Sequence, residues 1–252
     1  MTTLFDLTGR TAIVTGCSTG LGQGMALALA QAGADIVGVD VADTAATRAA
    51  IEATGRRYVD VPADLASAVE PARIVAAAVA ACGRVDILVN NAGIIRRADA
   101  IDFTERDWDD VIDVNLKAVF FLAQAVARQF LAQGGGGKIV NIASMLSFQG
   151  GIRVPSYTAA KSGVLGLTRL LACEWAKHRI NVNAIAPGYM ATNNTEALRA
   201  DPERNQAILA RIPAERWGVP ADLAGAVVFL ASAASDYVQG HALAVDGGWL
   251  AR

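Results

Sequence analysis

Residues 11–22 read "TAIVTGCSTGLG", and the apolar, alanine-rich run "MALALAQAG" follows at 25–33. A short β-branched run ending in three closely spaced glycines and then a helix-forming stretch predicts a strand that turns directly into a helix. Such a turn leaves free N–H groups and the positive end of the helix dipole pointing at one place, where an anionic diphosphate binds. Gly16 permits the tight turn, Gly20 lets phosphates approach the backbone, and Gly22 allows close helix–strand packing.

The rest of the chain repeats this unit. Short runs apolar on both faces recur at 11–15, 35–40, 57–61, 86–93, 138–144, 181–187 and 242–248, the pattern of strands covered by helices on two sides. Helical segments are expected near 21–33, 67–82, 105–133, 156–178 and 220–233. The alternation predicts an α/β fold, a doubly wound parallel sheet of Rossmann-like type forming a single domain over 1–252. "GGGG" at 134–137 reads as a helix stop. The stretch 190–217 lacks a strand, contains Pro202 and Pro213, and reads as a helical substrate lid inserted in that domain.

Composition narrows the function classes. The 252 residues are 53% hydrophobic with a net charge of −2 and no basic block. That balance favours a small solute over nucleic acid. No secretory h-region opens the chain and no stretch of 18 uninterrupted apolar residues follows, so no membrane association and a cytoplasmic location are expected. Cys17, Cys82 and Cys173 are odd in number and widely spaced, as reduced thiols would be. Only His178 and His241 are histidines, neither in a ligand-spaced cluster, so no metal is expected.

The glycines are spaced Gly-x-x-x-Gly-x-Gly rather than Gly-x-Gly-x-x-Gly. With "NNAG" at 90–93, "NVNAIAPG" at 181–188 and the set Ser144, Tyr157, Lys161 with Asn115 upstream, the chain resembles the short-chain dehydrogenase/reductase family over nearly its whole length. The resemblance implies an NAD-dependent alcohol/ketone oxidoreductase. It implies cofactor contacts from Gly16, Cys17, Ser18, Thr19, Gly20, Leu21, Gly22, Asp40, Asp64, Leu65, Asn91, Ala92, Gly93, Tyr157, Lys161, Pro187, Gly188 and Thr192. Asp40, eighteen residues beyond Gly22, can accept hydrogen bonds from the adenosine ribose and would repel a 2′-phosphate. With uncharged Cys17 nearby and no arginine just after Asp40, NAD is expected rather than NADP.

Tyr157 and Lys161 are four residues apart and share one helix face. Hydride reduction of a ketone leaves an alkoxide that needs a proton, and the reverse needs a base. A phenol titrating near 10 is a poor base at neutral pH, and the Lys161 charge in a dry site would lower it. Ser144 can hydrogen-bond the reacting oxygen. By resemblance, Asn115 holds a water linking Lys161 to solvent.

Within the family, the stretches at 90–110, 142–164 and 183–201 are similar to dehydrogenases of deoxy keto sugar acids, which implies such a substrate and a place in uronate or pectin breakdown. Arg153, Arg96 and Arg97, in that order, are candidates for its carboxylate. Gln149 could contact hydroxyls, while Tyr189, Met190 and Trp249 could shape the wall. A polyol, steroid or carrier-bound oxoacyl substrate, or a catalytically silent cofactor sensor, stay open as alternatives. Apolar residues beyond one sheet-facing stripe, among them Phe120, Phe121, Leu167, Leu171 and Trp175, point to a helix-bundle interface. Family resemblance makes it that of a homotetramer, with Trp249 near an interface.

Overall fold

The computed structural model describes residues 4–67 and 70–252. Seven parallel strands form one sheet: β1 (Thr11–Thr15), β2 (Asp35–Asp40), β3 (Tyr58–Pro62), β4 (Ile87–Asn90), β5 (Gly137–Ile142), β6 (Ile180–Pro187) and β7 (Ala242–Val245). Their order is β3-β2-β1-β4-β5-β6-β7. After β3 the chain returns to lay β4 beside β1, so the connections from β1 and β4 leave in opposite directions. This switch point opens a crevice at the carboxyl ends of the strands.

β1 and β6 are buried along their whole lengths. One apolar layer packs β1, β4 and β5 under α1 (Gly20–Gln31) and α9 (Ala224–Ala231). The opposite layer packs under α3 (Glu70–Cys82), α5 (Ala118–Gln133) and α6 (Pro155–Trp175). The expected helix at 67–82 is present from Glu70, and residues 68–69 lie outside the described residues. Gly134 ends α5 in the left-handed region at φ 76°, as the glycine run suggested.

Two features depart from expectation. α2 (Ala45–Glu52) was not read from the sequence. The span 105–133 is not one regular helix: α4 (Glu105–Ile112) passes through a π-helical turn at Asp113–Lys117 into α5. The 190–217 stretch contains α7 (Glu196–Ala200) and α8 (Pro202–Leu209), with Asp201 capping α8 ahead of Pro202.

Candidate active site

The glycine turn between β1 and α1 borders a cleft of about 370 Å³. Gly16 and Gly20 adopt φ of 65° and 60°, and a Cβ on Gly22 would collide with the Gly16 carbonyl. Thr19 stands at the start of α1 without capping it, and no acidic residue occupies the first turn. The leading amides of a twelve-residue helix are thus left for a ligand, which suits a diphosphate.

The carbonyls of this turn are held by surrounding side chains. Asn91 Nδ2 donates to the carbonyls of Thr15 (2.8 Å) and Gly16 (2.9 Å). Thr47, buried on α2, donates to the Cys17 carbonyl at 2.8 Å and accepts from Gln23 Nε2 at 2.9 Å. Asp40 accepts from the Ser18 amide at 2.8 Å and the Ala42 amide at 3.0 Å. Its carboxylate therefore shapes the turn as well as lining the cleft.

Most of the expected cofactor residues line this cleft: Gly16, Ser18, Thr19, Gly20, Leu21, Gly22, Asp40, Asp64, Leu65, Asn91, Ala92, Gly93, Tyr157, Lys161 and Thr192. Cys17, Pro187 and Gly188 do not. The Cys17 side chain turns into the core, with Sγ 3.5 Å from the Tyr58 hydroxyl, and burial pushes the thiol up to about 11. The side chain of residue 17 thus faces away from the cleft, while the uncharged Thr19 and Val41 line it with Asp40. Pro187 ends β6, and the Gly188 amide donates to the Val245 carbonyl, joining β6 to β7.

A buried relay of side chains sets β4, β5 and α6 together. Asn90 Nδ2 donates to Asn141 Oδ1, and Asn141 Nδ2 donates to the Thr168 hydroxyl, both at 2.9 Å. α6 carries Tyr157 and Lys161 into one cleft, with Nζ 5.7 Å from the centre of the phenol ring. Lys161 is 3% exposed, donates to the Ile142 carbonyl at 2.6 Å, and is pushed down to about 8 by burial. Burial raises Tyr157, while the Ser144 hydroxyl and the charge of Arg97 pull it back. The net shift of the phenol is upward, the reverse of the lowering expected.

Ser144 lies two residues beyond β5, at the start of a tight turn over Met145–Ser147, where its Oγ accepts from the Leu146 amide at 3.2 Å. Asn115 is buried in the π turn. Its Oδ1 accepts from the Ile94 amide (2.8 Å) and its Nδ2 donates to the Ile94 carbonyl (2.9 Å), so the carboxamide pins the loop after β4.

The expected substrate side chains divide. Arg96 is paired with Asp110 (3.1 Å) and Asp107 (3.5 Å), and Arg153 with Asp99 (3.1 Å) on the open surface. Arg97 instead donates to the Asn194 carbonyl at 3.1 Å and, among the described residues, has no carboxylate within 4.0 Å. Arg97, placed last of the three from the sequence, is thus the one left without an ion pair. Gln149 Oε1 accepts from Trp249 Nε1 (3.2 Å) and Arg211 Nη2 (3.4 Å). Tyr189 packs edge-on against Trp217 and Trp249, and Met190 and Trp249 are both buried within the chain's own core.

The chain belongs to the short-chain dehydrogenase/reductase family and is an oxidoreductase: a family model described as enoyl-(acyl carrier protein) reductase matches residues 16–250. It is 66% identical over 248 residues to 2-dehydro-3-deoxy-D-gluconate 5-dehydrogenase of Dickeya dadantii, covering 98% of each chain. A crystal structure of an Agrobacterium tumefaciens protein with bound NADP is 59% identical, with a TM-score of 0.92 and 99% of each chain covered. A gluconate 5-dehydrogenase from Burkholderia cenocepacia, in complex with NADP and tartrate, is 40% identical, with a TM-score of 0.94 over 99% of this chain and 98% of that one. A nicotinamide dinucleotide is thus the cofactor class that the comparisons support.

Proposed function

We propose that the chain interconverts the alcohol and ketone of a deoxy keto sugar acid of the 2-dehydro-3-deoxy-D-gluconate type, using NAD(H), in breakdown of uronic acids such as those of pectin. The observation that carries this reading is a buried Tyr157–Lys161 pair in one cleft with an uncapped glycine-turn helix. The name of the Dickeya relative supplies the substrate class.

A nicotinamide bound in this cleft would supply or accept the hydride. Tyr157 takes the alcohol proton in oxidation and returns it in reduction, and Ser144 donates a hydrogen bond to the reacting oxygen. Lys161 would hold the nicotinamide ribose and stabilise the phenolate. The Asn115 carboxamide is engaged with both main-chain groups of Ile94, so a relay water at Asn115 would be held through its main chain. Asp40, with no cation beside it among the described residues that line the cleft, favours NAD. Arg97 receives the carboxylate. The site then works on a small sugar acid in the cytoplasm, with the chain assembled as a homotetramer.

Replacing Tyr157 with Phe should lower kcat by about 10²–10⁴-fold with NADH binding retained, and Arg97→Met should raise KM for the sugar acid while leaving NAD affinity intact. Full activity in Tyr157→Phe would refute the acid–base assignment, and an unchanged KM in Arg97→Met would remove that residue from the site.

A further inference from the structure

Ser147 ties together the main chains of two residues assigned to the chemistry. Its amide donates to the Ser144 carbonyl at 3.0 Å, and its hydroxyl accepts from the Ser144 amide at 3.3 Å. Both main-chain groups of Ser144 are thereby satisfied by one residue. With one lone pair used this way, the hydroxyl proton goes to the Lys161 carbonyl at 2.6 Å. One half-buried side chain therefore links the turn that presents Ser144 to the helix turn that presents Lys161.

Two other polar links run between these segments. Ser162 donates to the Leu146 carbonyl at 3.3 Å from an exposed position. Lys161 Nζ donates to the Ile142 carbonyl, but that amine is itself a group assigned to the chemistry. The Ser147 bridge uses a hydroxyl and main-chain groups that the reaction does not call upon.

We propose that Ser147 is a positioning residue that sets the spacing of Ser144 from the Tyr157–Lys161 pair. This rests on the acid–base reading of Tyr157 and Lys161 given above. Misplacing reacting groups by about 1 Å can cost 10²-fold in rate, while binding of groups elsewhere in the cleft is unaffected. Alanine at 147 removes both side-chain links; threonine keeps a hydroxyl that can accept and donate in the same way.

The test compares wild type, Ser147→Ala, Ser147→Thr and Tyr157→Phe for kcat, KM, NADH affinity by fluorescence titration, and the pH profile of kcat for oxidation. Ser147→Ala should lose about 10–100-fold in kcat with NADH affinity unchanged. Its acidic limb should move to higher pH, because a displaced Ser144 hydroxyl draws the Tyr157 phenol down less. Ser147→Thr should recover most of the rate. An alanine variant with wild-type kcat and pH profile would overturn the proposal, as would one whose losses in rate and NADH affinity run in parallel and are not rescued by threonine. Should Tyr157→Phe prove fully active, the acid–base reading itself fails; an inactive Tyr157→Phe beside an unaffected Ser147→Ala rejects the Ser147 role alone.

Discussion

Lys161 shows what the site costs the fold. Its amine is pushed from 10.5 down to about 8 by burial, so between these values the unfolded chain binds the proton more readily than the folded one. Stability therefore rises with pH across that window, and below about 8 the folded state carries the full penalty of a buried charge. Lys161→Met should abolish turnover yet stabilise the protein at pH 7 by roughly 1–3 kcal/mol, after allowing for the unpaired Ile142 carbonyl. The gain should shrink above pH 8, which denaturant melts at pH 7 and pH 10 would reveal; a destabilised variant at pH 7 would contradict it. Tyr157 and Lys161 were legible because helix periodicity alone puts positions four apart on one face. The direction of Cys17 was not, because a residue in a glycine turn follows no such period and packs where Gly38 and Tyr58 leave room.

At the scale of elements, the strands and the first βα turn were visible as apolar runs with glycine punctuation. α2 was not, since "AATRAAIE" buries only Thr47 and Ile51 and presents no clear apolar stripe. Yet this helix reaches the cofactor turn: Thr47 holds the Cys17 carbonyl and is itself fixed by Gln23. Thr47→Val keeps the shape and removes the hydroxyl, so it should weaken cofactor binding by about tenfold, the equivalent of one hydrogen bond, with kcat at saturating cofactor little changed. Isothermal titration would measure this, and unaltered affinity would show that the turn keeps its form without Thr47. The π turn was equally hidden. It sets Asn115 against both main-chain groups of Ile94, a contact across 21 residues that no local periodicity reports.

Across the whole molecule, strand order places the glycine turn of β1, the Asn91 loop of β4, the Ser144 turn of β5 and the Thr192 segment after β6 at one edge of the sheet. The parallel fold could be read from the alternation of runs; the closeness of the arginines to acidic partners could not, because ion pairing depends on loop paths. Of the apolar residues expected on a second stripe, Leu171 is buried and Phe120 and Trp175 pack against the chain's own core. Trp249 is likewise buried within the chain. What remains exposed is Trp108, Phe121, Leu131 and Leu170 on α4, α5 and α6, apolar area that suits contact between copies. Sedimentation at micromolar concentration should give a tetramer, and Phe121→Glu with Leu170→Glu should shift it to smaller species; a monomeric wild type would contradict the assembly.

The central claim joins one cofactor to one substrate class. Its most direct measurement is a set of initial rates for 2-dehydro-3-deoxy-D-gluconate, D-gluconate, 2-deoxy-D-gluconate and a neutral polyol, each with NAD and with NADP. The account predicts the highest kcat/KM for 2-dehydro-3-deoxy-D-gluconate with NAD, by about tenfold or more over NADP, a difference of about 1.4 kcal/mol. Equal or faster turnover with NADP, or a preference for the uncharged polyol, would contradict it.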